Sequence, residues 1–211
     1  MGGDGELFEP SLRNDEMSVP RLYLAVSGCI FPSSNPDPAW GDVANAVVSI
    51  DHGNGQVTTE QVRWAPRLIT ALDSLLMQYG VELVWLSSWN RLDTTRQVLV
   101  PALNGLAGGR MLDAIFEPID AHRTIDSGSA GSTKAAPVDH TRGLWKSQRI
   151  EEDQNIPAPF IWIDDVEVGL HGEELRCMTT DTASLLIPPR SDVGITVAEI
   201  DLMRSWLAHL A

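Results

Sequence analysis

The chain has 211 residues, 43% hydrophobic and 21% charged, which supplies apolar side chain for one cored domain and excludes a disordered composition. Its 15 Lys and Arg stand against 29 Asp and Glu, a formal charge of −14. A surface that negative repels phosphate backbones and anionic lipid faces, so extended nucleic-acid binding and membrane docking are disfavoured, while a small local site for a phosphorylated ligand is not.

In chain order, residues 1–19 are polar, Gly-rich and acidic and read as a tail ahead of a domain over 20–211. They contain no basic region followed by an apolar stretch, so no signal peptide is expected, and no run of ~20 apolar residues is present to span a bilayer. Cys29 and Cys177 lie outside CxxC spacing and read as two reduced thiols of a cytoplasmic protein. Residues 22–26 (LYLAV) are continuously apolar, the pattern of a strand buried on both faces. They run into SGCIFPSSNPDP, whose Gly, Pro, Ser and Asn mark an irregular loop. Residues 46–50 and the stretch from Gln56 flank DHGNG and predict a hairpin, part of an insertion over about 32–60 that would form a flap over an active face.

Residues 65–79 predict a helix, with Leu68, Ile69, Leu72, Leu75, Leu76 and Tyr79 on one stripe, Pro66 in its first turn and Gly80 as its stop. VELVWL (81–86) reads as a second buried strand, broken by SSWNR, and 94–106 as a short helical pattern interrupted at Pro101. Residues 121–139 are rich in Ser, Gly and Ala without periodicity and read as a long flexible loop. A polar helix is expected over 141–153, carrying Leu144, Trp145 and Ile150. PFIWID and TASLLIPP supply two more strands, and TVAEIDLMRSWLAHL a closing helix that would bury Val197, Ile200, Leu202, Met203, Leu207 and Leu210. Strands alternating with helices predict an open, mainly parallel α/β sheet. Ligands of such sheets bind in the crevice outside the carboxyl ends of the strands.

Three predicted strands end in small or polar residues that would gather in that crevice: Ser27-Gly28, Ser87-Ser88 and Asp164-Asp165. Lys146 lies on the helix before the acid-tipped strand, and Lys134, in the loop, competes with it weakly. Hydroxyls and backbone N–H groups would hold phosphate oxygens, Lys146 would neutralise charge, and Asp164 and Asp165 would offer hard oxygen ligands for Mg²⁺.

The pieces LYLAVSGCIFP, LVWLSSWN, LWKSQRI and IWIDD resemble, in order and spacing, the haloacid-dehalogenase (HAD) superfamily of phosphohydrolases. The similarity runs from Arg21 onward and is greatest to the HAD domains associated with RNA repair (the Swiss Army Knife group) common in actinobacteria and their phages. It implies a HAD-like Rossmannoid sheet with a small hairpin flap after the first strand. It also implies phosphate contacts from Gly28, Ser87 or Ser88 and Lys146, and a Mg²⁺ site at Asp164 and Asp165.

The departure falls at the centre of the family's chemistry. Its nucleophilic Asp, which also binds Mg²⁺, matches Ala25, and its general acid/base Asp matches Ser27. A methyl group cannot attack phosphorus, an ordinary serine is a poor proton shuttle, and the Mg²⁺ site is weakened by a missing carboxylate. The expectation is therefore a degenerate, phosphatase-like protein that binds a phosphorylated small molecule or a protein partner without turnover. The alternative is a Mg²⁺-dependent phosphohydrolase of phosphate monoesters, with Ala25 introduced deliberately or another nucleophile in place.

Competing readings are narrower. Ser27 lacks the flanking glycine of a Gly-x-Ser-x-Gly elbow, and His52, His122, His140, His171 and His209 are scattered without ligand spacing. Cys29 reads as a core thiol. Trp85, Trp162 and Trp206 read as core residues, leaving Trp40, Trp64 and Trp89 near the crevice for ligand stacking.

Overall fold

The computed structural model describes residues 18–51, 57–112 and 144–210. Most of the expected tail, the centre of the DHGNG turn, the 121–139 loop with Lys134, and His52, His122 and His140 lie outside the described residues.

Five short strands build one sheet: β1 (Arg21–Leu24), β4 (Glu82–Trp85), β5 (Arg110–Met111), β6 (Phe160–Ile163) and β7 (Ser184–Ile187). Their order is β5-β4-β1-β6-β7 and every pairing is parallel. From β1 the chain winds outward through β4 and β5, then returns to β1's other side to lay down β6 and β7. The direction of winding therefore reverses between β1 and β6, the switch point at which α/β sheets leave a crevice at their carboxyl edge.

Alternation along the strands explains the layers. Leu22, Leu24, Leu83, Trp85, Ile161 and Ile163 belong to one buried cluster, together with Leu68, Ile69, Leu72 and Leu75 of α1 (Pro66–Tyr79) and Ile200, Met203 and Leu207 of α5 (Val197–Leu210). Tyr23, Val84, Leu86, Phe160 and Trp162 face the other way, onto Ile150 of α3 (Leu144–Asp153) and Val168 and Leu175 of α4 (Glu167–Met178). A period of two on strands covered on both sides produces the unbroken apolar runs seen in the sequence.

The hairpin pairs β2 (Ala44–Asp51) with β3 (Val57–Trp64) in antiparallel register from Ala44 opposite Trp64 to Asp51 opposite Val57. It begins later than the expected insertion. Ala46, Val48, Val62 and Trp64 pack on the α1 side of the core, whereas Val47 is 69% exposed.

Pro66 starts α1 as expected, and Gly80 ends it at φ +62, a left-handed position that suits glycine. Two elements escaped the sequence reading, the two-residue edge strand β5 and the helix α4. Leu202 is exposed, a correction to the α5 stripe, and Val197, Trp206 and Leu210 are only partly buried. The 94–106 pattern resolves into a wide π-helical turn over Thr95–Leu99 that passes into α2 (Val100–Leu103). Pro101 follows directly on that turn, in the first two residues of α2. Among the described residues no helix is long and apolar enough to cross a membrane.

Candidate functional site

The exit of β1 forms the floor of the site. Ala25 still behaves as strand, its N–H donating to the Ile163 carbonyl at 3.0 Å, and it is 3% exposed. The chain then folds sharply, with the Val26 carbonyl accepting the N–H groups of Cys29, Ile30 and Phe31 at 3.2, 2.9 and 3.1 Å. Gly28 makes the turn at φ +71 and donates its N–H to the Phe31 carbonyl at 2.8 Å. Ser27 is left exposed, its Oγ accepting the Trp89 indole N–H at 3.0 Å. Cys29 is fully buried, and burial, followed by the Asp164 and Asp165 charges, pushes its thiol pKa well up.

The exit of β4 is held by Asn90, a residue sequence reasoning passed over. Its amide donates to the Trp85 and Leu112 carbonyls, both at 2.8 Å, and its Oδ1 accepts the Thr95 hydroxyl at 2.8 Å. One buried amide thus ties the ends of β4 and β5 together and fixes Trp89 beside them. Ser87 is buried and accepts the Trp89 N–H at 3.3 Å, a capping role, while Ser88 is exposed.

After β6 comes a compact cluster of charge. Asp164 is fully buried, and its Oδ1 accepts the N–H groups of Val166 and Glu167 at 2.9 and 2.6 Å, which anchors the start of α4. Its Oδ2 accepts Lys146 Nζ at 2.5 Å. The same ammonium lies 3.2 Å from Glu167 Oε1, while Glu167 Oε2 is buried with no hydrogen-bond partner. Burial alone would lower the Lys146 pKa, but Asp164 and Glu167 outweigh it and the net shift is upward. Burial, with the Asp164 charge adding to it and Lys146 opposing it, pushes the Glu167 carboxyl up to about 7. Three acids and bases thus form one compact buried knot.

Asp165 turns the opposite way. It is half-buried, its Oδ2 accepts the Ser191 hydroxyl at 2.6 Å, and burial raises its pKa. It lines a cleft of about 510 Å³ together with Ser27, Gly28, Trp89, Ser191 and the β3 segment over 60–63. The structure therefore brings Ser27, Gly28 and Asp165 together at the cleft. Ser87, Ser88, Lys146 and Asp164 do not line it; Lys146 and Asp164 meet each other in the buried knot instead. Of the three tryptophans expected near the crevice, only Trp89 lines it. Trp40 donates its indole N–H to the Ile195 carbonyl at 2.8 Å, and Trp64 packs against Phe31 with ring centroids 6.0 Å apart.

The Mg²⁺ implied by the resemblance would call on Asp164 and Asp165. Both Asp164 oxygens are already engaged, one by two N–H groups and the other by an ammonium, and a neighbouring ammonium opposes a divalent cation. Among the described residues no group of three or more His, Cys, Asp or Glu stands close enough to hold a metal. Asp164 is thus already committed within the protein, and no chemical step is routed through a Mg²⁺ ion.

Ser191 carries no sequence signal tying it to the site, whereas the β3 wall belongs to the hairpin expected as a flap over the active face. Glu167 carries none either, because α4, whose first turn holds it, is not legible in the sequence. No protein-family model, curated protein or solved structure matches the chain.

Proposed function

We propose that the chain is a HAD-like, phosphatase-related domain that binds a partner in its carboxyl-edge cleft without turning it over. The observation that carries the reading is Ala25, a buried methyl group at the strand end where the resembled chemistry places its nucleophile. The neighbouring groups do not replace it. Ser27 Oγ accepts a hydrogen bond from an indole N–H, which withdraws electron density rather than removing a proton. Burial keeps the Cys29 sulfur protonated, and a thiol is a far weaker nucleophile than a thiolate. Lys146 is committed to Asp164 and Glu167, so the resembled cation serves structure.

Restoring both carboxylates tests the reading. The A25D/S27D variant and the unaltered chain are assayed for Mg²⁺-dependent hydrolysis of p-nitrophenyl phosphate. Activity gained only in the variant supports a binding cleft whose reacting groups are missing. Equal activity in both chains contradicts it.

A further inference from the structure

The cleft meets the hairpin along one edge of β3. Glu60, Gln61, Val62 and Arg63, four successive residues, line it, and no residue of β2 does. Successive side chains of a strand point to opposite faces, so a cavity that touches four in a row must run beside the strand's edge. Among the described residues that edge pairs with no strand, because the hairpin sheet contains β2 and β3 alone. A free edge is a row of N–H and C=O groups ready to accept another extended chain, here over roughly 13 Å.

The rest of the cleft says what kind of chain fits. Phe31 and Trp89 give it an aromatic lining, with ring centroids 5.7 Å apart. Glu60 and Asp165 give it two carboxylates against one guanidinium, and that one, Arg63, lies 3.5 Å from Asn35 Oδ1. Lys146 is held in the buried knot, and the whole chain carries −14. We propose that an extended, basic peptide segment of a partner protein pairs with the free edge of β3 as a third strand, one Lys or Arg side chain lying along Phe31 and Trp89 towards Asp165. Backbone pairing supplies affinity, and the alternate side chain that enters the cleft supplies selectivity. An aliphatic stem on aromatic rings with its cationic head at a carboxylate suits Lys and Arg. The inference rests on the reading of this cleft as a binding site.

The probe is a fluorescein-labelled eight-residue peptide of alternating lysine and threonine, titrated by fluorescence anisotropy with the full chain. Saturable binding is expected, weakened about fivefold by Glu60→Lys and about tenfold by methylating every backbone nitrogen of the peptide. Met77→Lys adds a positive charge at an exposed residue near the end of α1, outside the cleft lining, and is expected to leave binding nearly unchanged. Amide exchange read by NMR should slow within 60–63 when the peptide is bound. No saturable binding overturns the proposal. So does equal binding of the methylated peptide, which would mean attraction by charge alone. Preference for a glutamate–threonine peptide, or displacement by inorganic phosphate, assigns the cleft to a different class of ligand and also overturns it. Hydrolysis of a phosphate monoester would defeat the proposed function without touching this titration, so the two failures are distinguishable.

Discussion

Gly28 and Asp165 approach so closely at the switch point of the sheet that a methyl group on Gly28 would collide with both carboxylate oxygens of Asp165. Gly28 also sits at φ +71, where a side chain is strained whatever the space. Gly28→Ala should therefore lower stability by about 1–3 kcal/mol and displace Asp165 from Ser191. Urea denaturation checks the first effect. An unchanged midpoint would mean that the turn and the carboxylate are not packed against each other.

The buried knot predicts strong coupling. Lys146→Met leaves Asp164 buried with one oxygen facing no cation, a change expected to cost about 3–5 kcal/mol. Adding Asp164→Asn should cost less than the sum of the two single changes, because the second removes the charge the first stranded. A double-mutant cycle in urea measures the coupling, and additive effects would deny the pair.

Glu167 gives stability a pH dependence with a definite sign. Its folded pKa, near 7, is above the ordinary value of 4.5, so the folded state holds a proton that the unfolded state releases first. This contribution is fully present below about pH 4.5 and is lost as the pH rises through about 7. Relative to Glu167→Gln, the unaltered chain should lose about 2 kcal/mol between pH 5 and pH 7.5. Parallel denaturation curves at the two pH values read the difference, which should stay constant if burial does not hold the carboxyl protonated.

Asn90 should prove a positioning residue. Asn90→Ala leaves the Trp85 and Leu112 carbonyls without their amide donor and frees the Thr95 hydroxyl, a loss of about 2–3 kcal/mol. Thermal unfolding checks this, and the variant should also bind the basic probe peptide more weakly because Trp89 loses its fixed support.

Much of the fold could be read before any coordinates, for a physical reason. Strands buried on both faces, such as Leu22 to Leu24 and Phe160 to Ile163, need apolar residues at every position, and four short apolar runs alternating with helical stripes imply a parallel sheet. The element missed most completely, α4, has a weak amphipathic signal because Glu167 is buried while Val166 and Leu170 are exposed. The edge strand β5 is two residues long and carries no period at all. At the site, residues adjacent in sequence part company: Asp164 points into the interior and Asp165 into the cleft. An acid pair after a strand shows neither direction in its letters. Lys146 is legible as an Asp164 partner only once α3 lies across the end of β6, and the β3 wall depends on how the hairpin folds back over the β1 exit.

Whether the cleft binds without reacting is decided by release of p-nitrophenol from p-nitrophenyl phosphate by the unaltered chain with Mg²⁺ across pH 5 to 8. No turnover above the rate in buffer is expected. Turnover by the unaltered chain that is abolished in the Asp164→Asn variant would contradict it.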